Sequence, residues 1–243
     1  MSERPGNRPP ELVTGRLRRR AESRGADPLL TYYEPARGVR VELSAVTLLN
    51  WVDKTCHLLD ELDVAPGDTV GLVLAGSAPG HWVSVVWELA CWQVGAVVAV
   101  GADAAAGARL LVTGPDWGPY ADAGADVLAC SLHPLGLPLS GPLSPSVLDY
   151  ALEVRGQADR YAPVPQPSAA LAWQDGERRL TQADLLAGSW PPERRLVRPS
   201  TPWPTAQAAV LAALLGGGST VVVAGPAEED SLVRIAEQER AER

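Results

Sequence analysis

Lysine, phenylalanine and cysteine are scarce in this sequence. Lys54 is the single lysine among 243 residues, and phenylalanine does not occur. The eight tryptophans must therefore supply much of the aromatic packing of the core. The three cysteines, Cys56, Cys91 and Cys130, lie far apart in apolar stretches, which excludes a disulfide framework and predicts small buried side chains. The three histidines lack metal-ligand spacing, so we expect no metal site.

A basic surface and a long uninterrupted apolar segment are also missing. Asp and Glu number 29 against 21 Lys and Arg, and the net charge of -8 disfavours nucleic acid and anionic membranes as partners. The apolar stretch 83–100 is broken by polar residues and is too short to span a membrane. Residues 1–10 contain no hydrophobic segment typical of a secretory signal, so we expect a cytoplasmic protein.

One concentration of positive charge lies near the start of the chain. Its members are Arg16, Arg18, Arg19, Arg20 and Arg24. Such a cluster can contact an anion, but the neighbouring prolines and glycine favour a frayed terminus. Residues 1–27 are therefore predicted to form a flexible basic tail.

Alternating strand and helix patterns follow the tail. Two short β runs at 29–33 and 39–43, joined by a turn with Pro and Gly, predict a hairpin. Ser44 then caps a helix with apolar residues at three- and four-residue steps to Leu62. The run 69–74, a helix from His81 to about Val94 and the run 96–100 form a strand, helix, strand unit. Further strands at 109–113 and 126–131 and a short helix at 147–155 are predicted after it.

The alternation continues beyond the proline-rich run 161–167, which is the best candidate for a subdomain boundary. Strands are predicted at 168–173, 195–198 and 219–223, and helices at 181–187, 206–215 and 231–243. We therefore predict a doubly wound α/β fold around a mostly parallel sheet. Residues 28–160 form its first α/β subdomain, and 161–243 a smaller segment that continues the same fold.

Two blocks of the sequence resemble adenylate-forming (AMP-binding, acyl-CoA synthetase-like) enzymes. The first runs from Val41 to Val98 and contains the hairpin, the long helix, the turn Pro66-Gly67-Asp68 and a helix that ends in Gly95-Ala96. The second, 196–223, is similar to the strand, helix, glycine and strand that follow the ATP loop in that superfamily. The resemblance implies the N-terminal subdomains of such an enzyme, and the matching motifs are motifs of the scaffold.

The phosphate loop of that superfamily has no counterpart between the two blocks. The family loop is rich in Ser, Thr and Gly and ends in Pro-Lys-Gly, whereas here only 174–179 join a strand to the next helix. One glycine offers too few open amides for a triphosphate, and Asp175 and Glu177 oppose it electrostatically. We also find no counterpart of the C-terminal lid with its catalytic lysine before Arg243. The resemblance thus implies a truncated, degenerate member that forms no acyl-adenylates and uses no ATP cofactor.

A few polar residues are candidates for a weak ligand site. The turn 76–80 follows a strand and opens a helix, where backbone amides can hold an anion. The glycines 216–218 follow a helix and precede a strand, which predicts a helix cap. Ser77 with His81 does not meet the nucleophile-elbow pattern, and we identify no catalytic residue. The candidate ligand-binding residues, at the expected carboxyl ends of strands, are Gly76, Ser77, Gly80, Asp103, Asp175 and Arg178.

Three functions stay open at this point. The first is a non-catalytic scaffold that binds a partner or a small acyl-type ligand, the second an enzyme that acts on an acyl or CoA-like ligand through an unidentified site, and the third an interaction module. The strand 219–223 is followed only by the charged helix 231–243. Because an uncovered strand edge invites pairing, we expect a homodimer or a dedicated protein partner.

Overall fold

Two β-sheets with helices packed on them make up residues 12–243, the part of the chain that the computed structural model describes. The strands are β1 (Pro28–Glu34), β2 (Val39–Ser44), β3 (Thr69–Leu72), β4 (Val97–Ala99), β5 (Leu110–Thr113), β6 (Asp126–Ala129), β7 (Val147–Asp149), β8 (Leu171–Asp175), β9 (Arg178–Thr181), β10 (Arg194–Val197) and β11 (Ser219–Val223). The helices are α1 (Val13–Arg24), α2 (Ala45–Glu61), α3 (Val73–Ser77), α4 (Trp82–Val94), α5 (Tyr150–Glu153), α6 (Gln182–Leu185), α7 (Pro202–Ala206), α8 (Ala212–Gly216) and α9 (Glu229–Glu239). The π-helical residues Gln207–Leu211 join α7 to α8.

The larger sheet has seven strands in the order β7-β6-β5-β3-β4-β8-β9. Its strands are parallel except for the hairpin of β8 and β9. The smaller sheet has the order β10-β11-β1-β2, and only β1 and β2 are antiparallel. This mixed α/β architecture with a mostly parallel sheet confirms the predicted fold class, and the predicted hairpin is β1 with β2.

Helix α4 lies at the centre of the core. All of its residues are buried, because its sequence is apolar nearly all round, and it packs against α1, α2, β3 and β4. Trp82, Leu89 and Trp92 are buried together, as their helical spacing predicts. The indole nitrogen of Trp92 donates to the carbonyl oxygen of Ala172 at 3.2 Å, which fastens the helix to the sheet. The predicted burial of all three cysteines is also confirmed.

The basic segment near the start is a helix, and the prediction of a flexible tail is wrong for residues 13–24. Helix α1 buries Val13 and Leu17, which lie four residues apart and so share one helix face. From the same helix, Arg18 Nη2 contacts Asp53 Oδ1 at 2.6 Å and donates to the carbonyl of Tyr161 at 2.9 Å. Asp53 belongs to α2, so its partnership with Arg18 is invisible to local sequence patterns. The rest of the predicted tail, residues 1–11, lies outside the described residues.

Several predicted boundaries change because the chain pairs or turns earlier than its apolar pattern suggests. The strand expected at 69–74 ends at Leu72, where α3 begins. The helix expected at 147–155 begins as β7, which pairs with β6. Strand β9 was not predicted, because its sequence lacks the alternation of apolar and polar residues that marks a strand. Its residues Arg178 and Arg179 pair with β8. The cap at Ser44 and the C-cap at Gly217 are confirmed.

Strand β11 is an interior strand of the smaller sheet. The expectation of a partner rested on an uncovered edge at this strand, and that edge is covered. Strand β11 lies between β10 and β1, and Leu232 and Ile235 of α9 pack on its face with Val221 and Val223. Beyond α9, the backbone of Glu242 exchanges hydrogen bonds with the edge strand β10. Assembly with a second copy or a partner stays a prediction. Across residues 12–243, every helix is too short or too polar to cross a membrane.

Candidate functional site

The turn between β8 and β9 stands where the resemblance implies a phosphate loop. Asp175 Oδ1 accepts the backbone N–H groups of Glu177 at 3.0 Å and Arg178 at 2.9 Å. Its Oδ2 accepts the indole N–H of Trp173 at 3.0 Å and faces the Arg178 guanidinium at 3.3 Å. Burial raises the pKa of Asp175, but these donors outweigh it and the net pKa is lowered. The ionised carboxylate of Asp175 therefore already accepts the hydrogen bonds that the backbone amides of the turn can donate.

His81 closes the start of α4. Its Nδ1 accepts the backbone N–H of Val83 at 3.2 Å, and its ring also bonds the backbone of Leu132. Burial lowers the pKa of His81 to about 4, so the imidazole is neutral near pH 7. These bonds make His81 the N-cap of α4 and leave the ring poorly placed to act as a base for Ser77. The bond to His81 also uses the backbone N–H of Val83, one of the amides at the start of α4 that an anion would need.

A cavity of about 400 Å³ lies where the two sheets meet. It opens at the carboxyl ends of β1, β10 and β11 and beside the chain that follows β3. Strands β4 and β5 flank β3 on opposite sides, so the chain changes its direction of winding there, and ligands of α/β sheets commonly bind at such points. The polar residues of its lining are Tyr32, Glu34, Arg37, Ser77 and His81.

Ser77 is the one predicted ligand residue that lines this inter-sheet cavity. Gly76 is exposed at the end of α3, whereas Gly80 is buried with φ of 74°. A Cβ on Gly80 would lie 3.0 Å from Thr205 and 3.2 Å from Val222, so glycine is required where the segment meets the smaller sheet. Asp103 lies in a turn after β4, beside the end of β8, and Asp175 pairs with Arg178.

Sequence reasoning missed most of the lining of the inter-sheet cavity. Tyr32 and Glu34 end β1, Pro199 follows β10, and Ala224 and Gly225 follow β11. Each position was a predicted strand end, but local patterns do not show that strands of the smaller sheet end beside α3. Burial and the charge of Glu34 raise the pKa of Tyr32 to about 12, so its hydroxyl stays protonated. In residues 12–243 no three His, Cys, Asp or Glu side chains converge as a metal site requires.

Comparison with curated proteins identifies the family. The chain is 35% identical over 224 residues to a TIGR03089 family protein of Mycobacterium tuberculosis, and the match covers 82% of this chain and 84% of that protein. The chain belongs to the TIGR03089 family. No model in a scan of protein families matched the sequence. The Asp175 turn and the inter-sheet cavity are therefore features of a TIGR03089 family chain.

Solved structures similar to this TIGR03089 chain include two acyl-CoA synthetases. Acetoacetyl-CoA synthetase from Streptomyces lividans matches with a TM-score of 0.71 and 20% identity, over 95% of this chain and 41% of that chain. Brucella canis acyl-CoA synthetase matches with a TM-score of 0.70 and 16% identity, over 95% of this chain and 46% of that chain. The TIGR03089 chain thus has an acyl-CoA synthetase-like scaffold and spans less than half the length of these enzymes.

Proposed function

We propose that this chain has the acyl-CoA synthetase-like scaffold but does not adenylate. It is a degenerate counterpart of the N-terminal part of such an enzyme. In this proposal it binds a small acyl-type ligand or a partner and forms no acyl-adenylate. One observation carries the proposal: Asp175 occupies the backbone amides of the turn that replaces the phosphate loop. An anion bound there would have to displace a carboxylate that belongs to the protein.

Electrostatics supports the same conclusion. A triphosphate needs consecutive open amides and cations, whereas this turn has one glycine and carries Asp175 and Glu177. Arg178 contacts both carboxylates, at 3.3 Å and 2.9 Å, so its charge is already balanced. Lys54, the single lysine of the sequence, donates to the carbonyl of Gln157 and pairs with Asp159 at 2.9 Å. Arg178 and Lys54 therefore offer an incoming phosphate no uncompensated positive charge, and the neighbouring Arg179 donates to the side-chain oxygen of Gln174 at 3.0 Å.

The inter-sheet cavity supports the binding of a small molecule. Its volume of about 400 Å³ lies in the range of small-ligand sites, and its lining combines apolar groups with a few polar ones. Glu34 and Arg37 pair at 3.1 Å, and His81 is occupied as a cap. The remaining hydroxyls, of Tyr32 and Ser77, can orient a ligand by hydrogen bonds without contributing charge.

Calorimetric titration with ATP and Mg²⁺ is expected to show no binding tighter than about 1 mM. Acyl-dependent exchange of pyrophosphate into ATP should likewise stay at the background rate. Glu177→Gln serves as the matched variant, because it removes one negative charge and leaves both amide bonds to Asp175 in place. It should not restore binding.

Micromolar, Mg²⁺-dependent ATP affinity together with pyrophosphate exchange would contradict the proposal.

The alternative function is an enzyme that acts on an acyl or CoA-like ligand through a different site, and the inter-sheet cavity is the observation that favours it. Incubation with short acyl-CoA thioesters separates the two: release of free thiol, abolished by Ser77→Ala or Tyr32→Phe, would support the enzyme.

A further inference from the structure

A second polar cavity, of about 390 Å³, lies at the opposite ends of the strands of the smaller sheet. It is bounded by α1, by the starts of β1, β10 and β11, and by the end of α9. We call it the arginine cavity, after four of its lining residues: Arg20, Arg24, Arg194 and Arg240. Two of these arginines belong to the basic cluster of α1, which the scaffold resemblance does not cover.

Each carboxylate that lines the arginine cavity already has an arginine partner. Asp27 pairs with Arg24 at 2.7 Å. Glu42 pairs with Arg40 at 2.6 Å. Glu239 contacts Arg194 at 2.6 Å and Arg40 at 2.9 Å. The negative charge of the lining is therefore used within the protein.

Two arginines of the cavity have no carboxylate partner among residues 12–243. Arg20 donates from Nη1 to the carbonyl of Gly217 at 2.8 Å, but its buried Nε has no acceptor in the described part of the chain. Arg240 is exposed at the end of α9 and makes no side-chain ion pair with a described residue. Burial and the nearby charge of Arg24 lower the pKa of Arg20, and the carboxylate of Asp27 offsets only part of that effect. Among residues 12–243, the carboxylates of the lining pair with other arginines and leave these two without an ion-pair partner.

We propose that the arginine cavity binds a small molecule through an oxyanion group, a phosphate or a carboxylate. The guanidinium group presents donors in a planar fork that matches both groups. The volume admits a small metabolite, and the lining is more polar than apolar. This site is separate from the β8–β9 turn and from the inter-sheet cavity, so it holds whether or not the proposed function does.

Thermal unfolding with sodium phosphate, with citrate and with sodium chloride at matched ionic strength tests the proposal. At least one oxyanion is expected to raise the unfolding midpoint in a saturable way, since a ligand of the folded state stabilises it. Arg20→Gln and Arg240→Gln should each weaken the fitted affinity about tenfold, as the loss of one charge-assisted hydrogen bond does. Arg234→Gln is the matched control: this exposed arginine of α9 donates to Ser231 at 3.0 Å and lies outside the lining.

Saturation by phosphate alone assigns a phosphate ligand, and saturation by citrate alone assigns a carboxylate. The proposal is overturned if neither anion exceeds chloride, or if Arg234→Gln weakens the response as much as the cavity variants. Arg240 is exposed, so Arg240→Gln decides the outcome even if Arg20→Gln fails to fold. Repeating the ATP titration on Arg240→Gln separates phosphate binding here from nucleotide binding at the β8–β9 turn.

Discussion

Replacement of Trp92 by alanine is expected to lower the free energy of unfolding by about 4 kcal/mol, the usual cost of removing a large buried aromatic side chain. Trp92 is fully buried, and its indole joins α4 to the carbonyl of Ala172. The substitution leaves a cavity in the centre of the core and removes the hydrogen bond between α4 and β8. Urea unfolding followed by circular dichroism measures the change.

Two further variants separate the causes. Trp92→Phe keeps most of the ring but loses the hydrogen bond, so it should cost less than Trp92→Ala. Leu135→Ala removes a side chain that is 75% exposed and should change stability by less than about 0.5 kcal/mol. Equal unfolding free energies for Trp92→Ala and the unmodified protein would mean that α4 does not pack as described.

Glu88→Gln is expected to raise the free energy of unfolding by about 3 kcal/mol at pH 7. Glu88 is buried in α4, and among residues 12–243 one of its carboxyl oxygens has no hydrogen-bond partner and no cation offsets its charge. Burial raises its pKa from 4.5 to about 8. Between these values the folded protein holds a proton that the unfolded chain releases, so the stability from this group falls as pH rises from about 4.5 towards 8. Glutamine resembles the protonated form and avoids that loss.

The stabilisation by Glu88→Gln should fade as pH is lowered and vanish near pH 4, where the glutamate is protonated in both states. Urea unfolding of both proteins from pH 4 to pH 7.5 measures this difference. His81, with its pKa lowered to about 4, destabilises the folded state as pH falls below about 6.5, but it does so in both proteins and cancels. Glu177→Gln, at an exposed position, is the control and should show no such trend. A gain independent of pH would contradict a neutral buried Glu88.

The candidate sites combine residues that the local sequence pattern identifies with residues that it does not. Ser77 was a candidate from a turn pattern alone, and the structure places it in the inter-sheet cavity. Its neighbours there are Tyr32 in β1 and Pro199 just after β10, and neither carries a local signal of a site. The anion contact considered for the basic cluster could not be located from the sequence, because Arg194 and Arg240 come from the far end of the chain.

The sequence alone determined the elements whose causes are local. Ser44 caps α2 because a hydroxyl before an apolar-periodic run satisfies a free amide, and Gly95 and Gly217 end helices because each adopts a positive φ. Only the tertiary structure showed how the basic segment and the last strand are packed. Helix α1 is held against α2 because Arg18 pairs with Asp53 there, and β11 is an interior strand because β10 and β1 pair with it on either side. Such pairings join residues far apart in the chain, and only the folded structure brings their charges and backbone groups within reach.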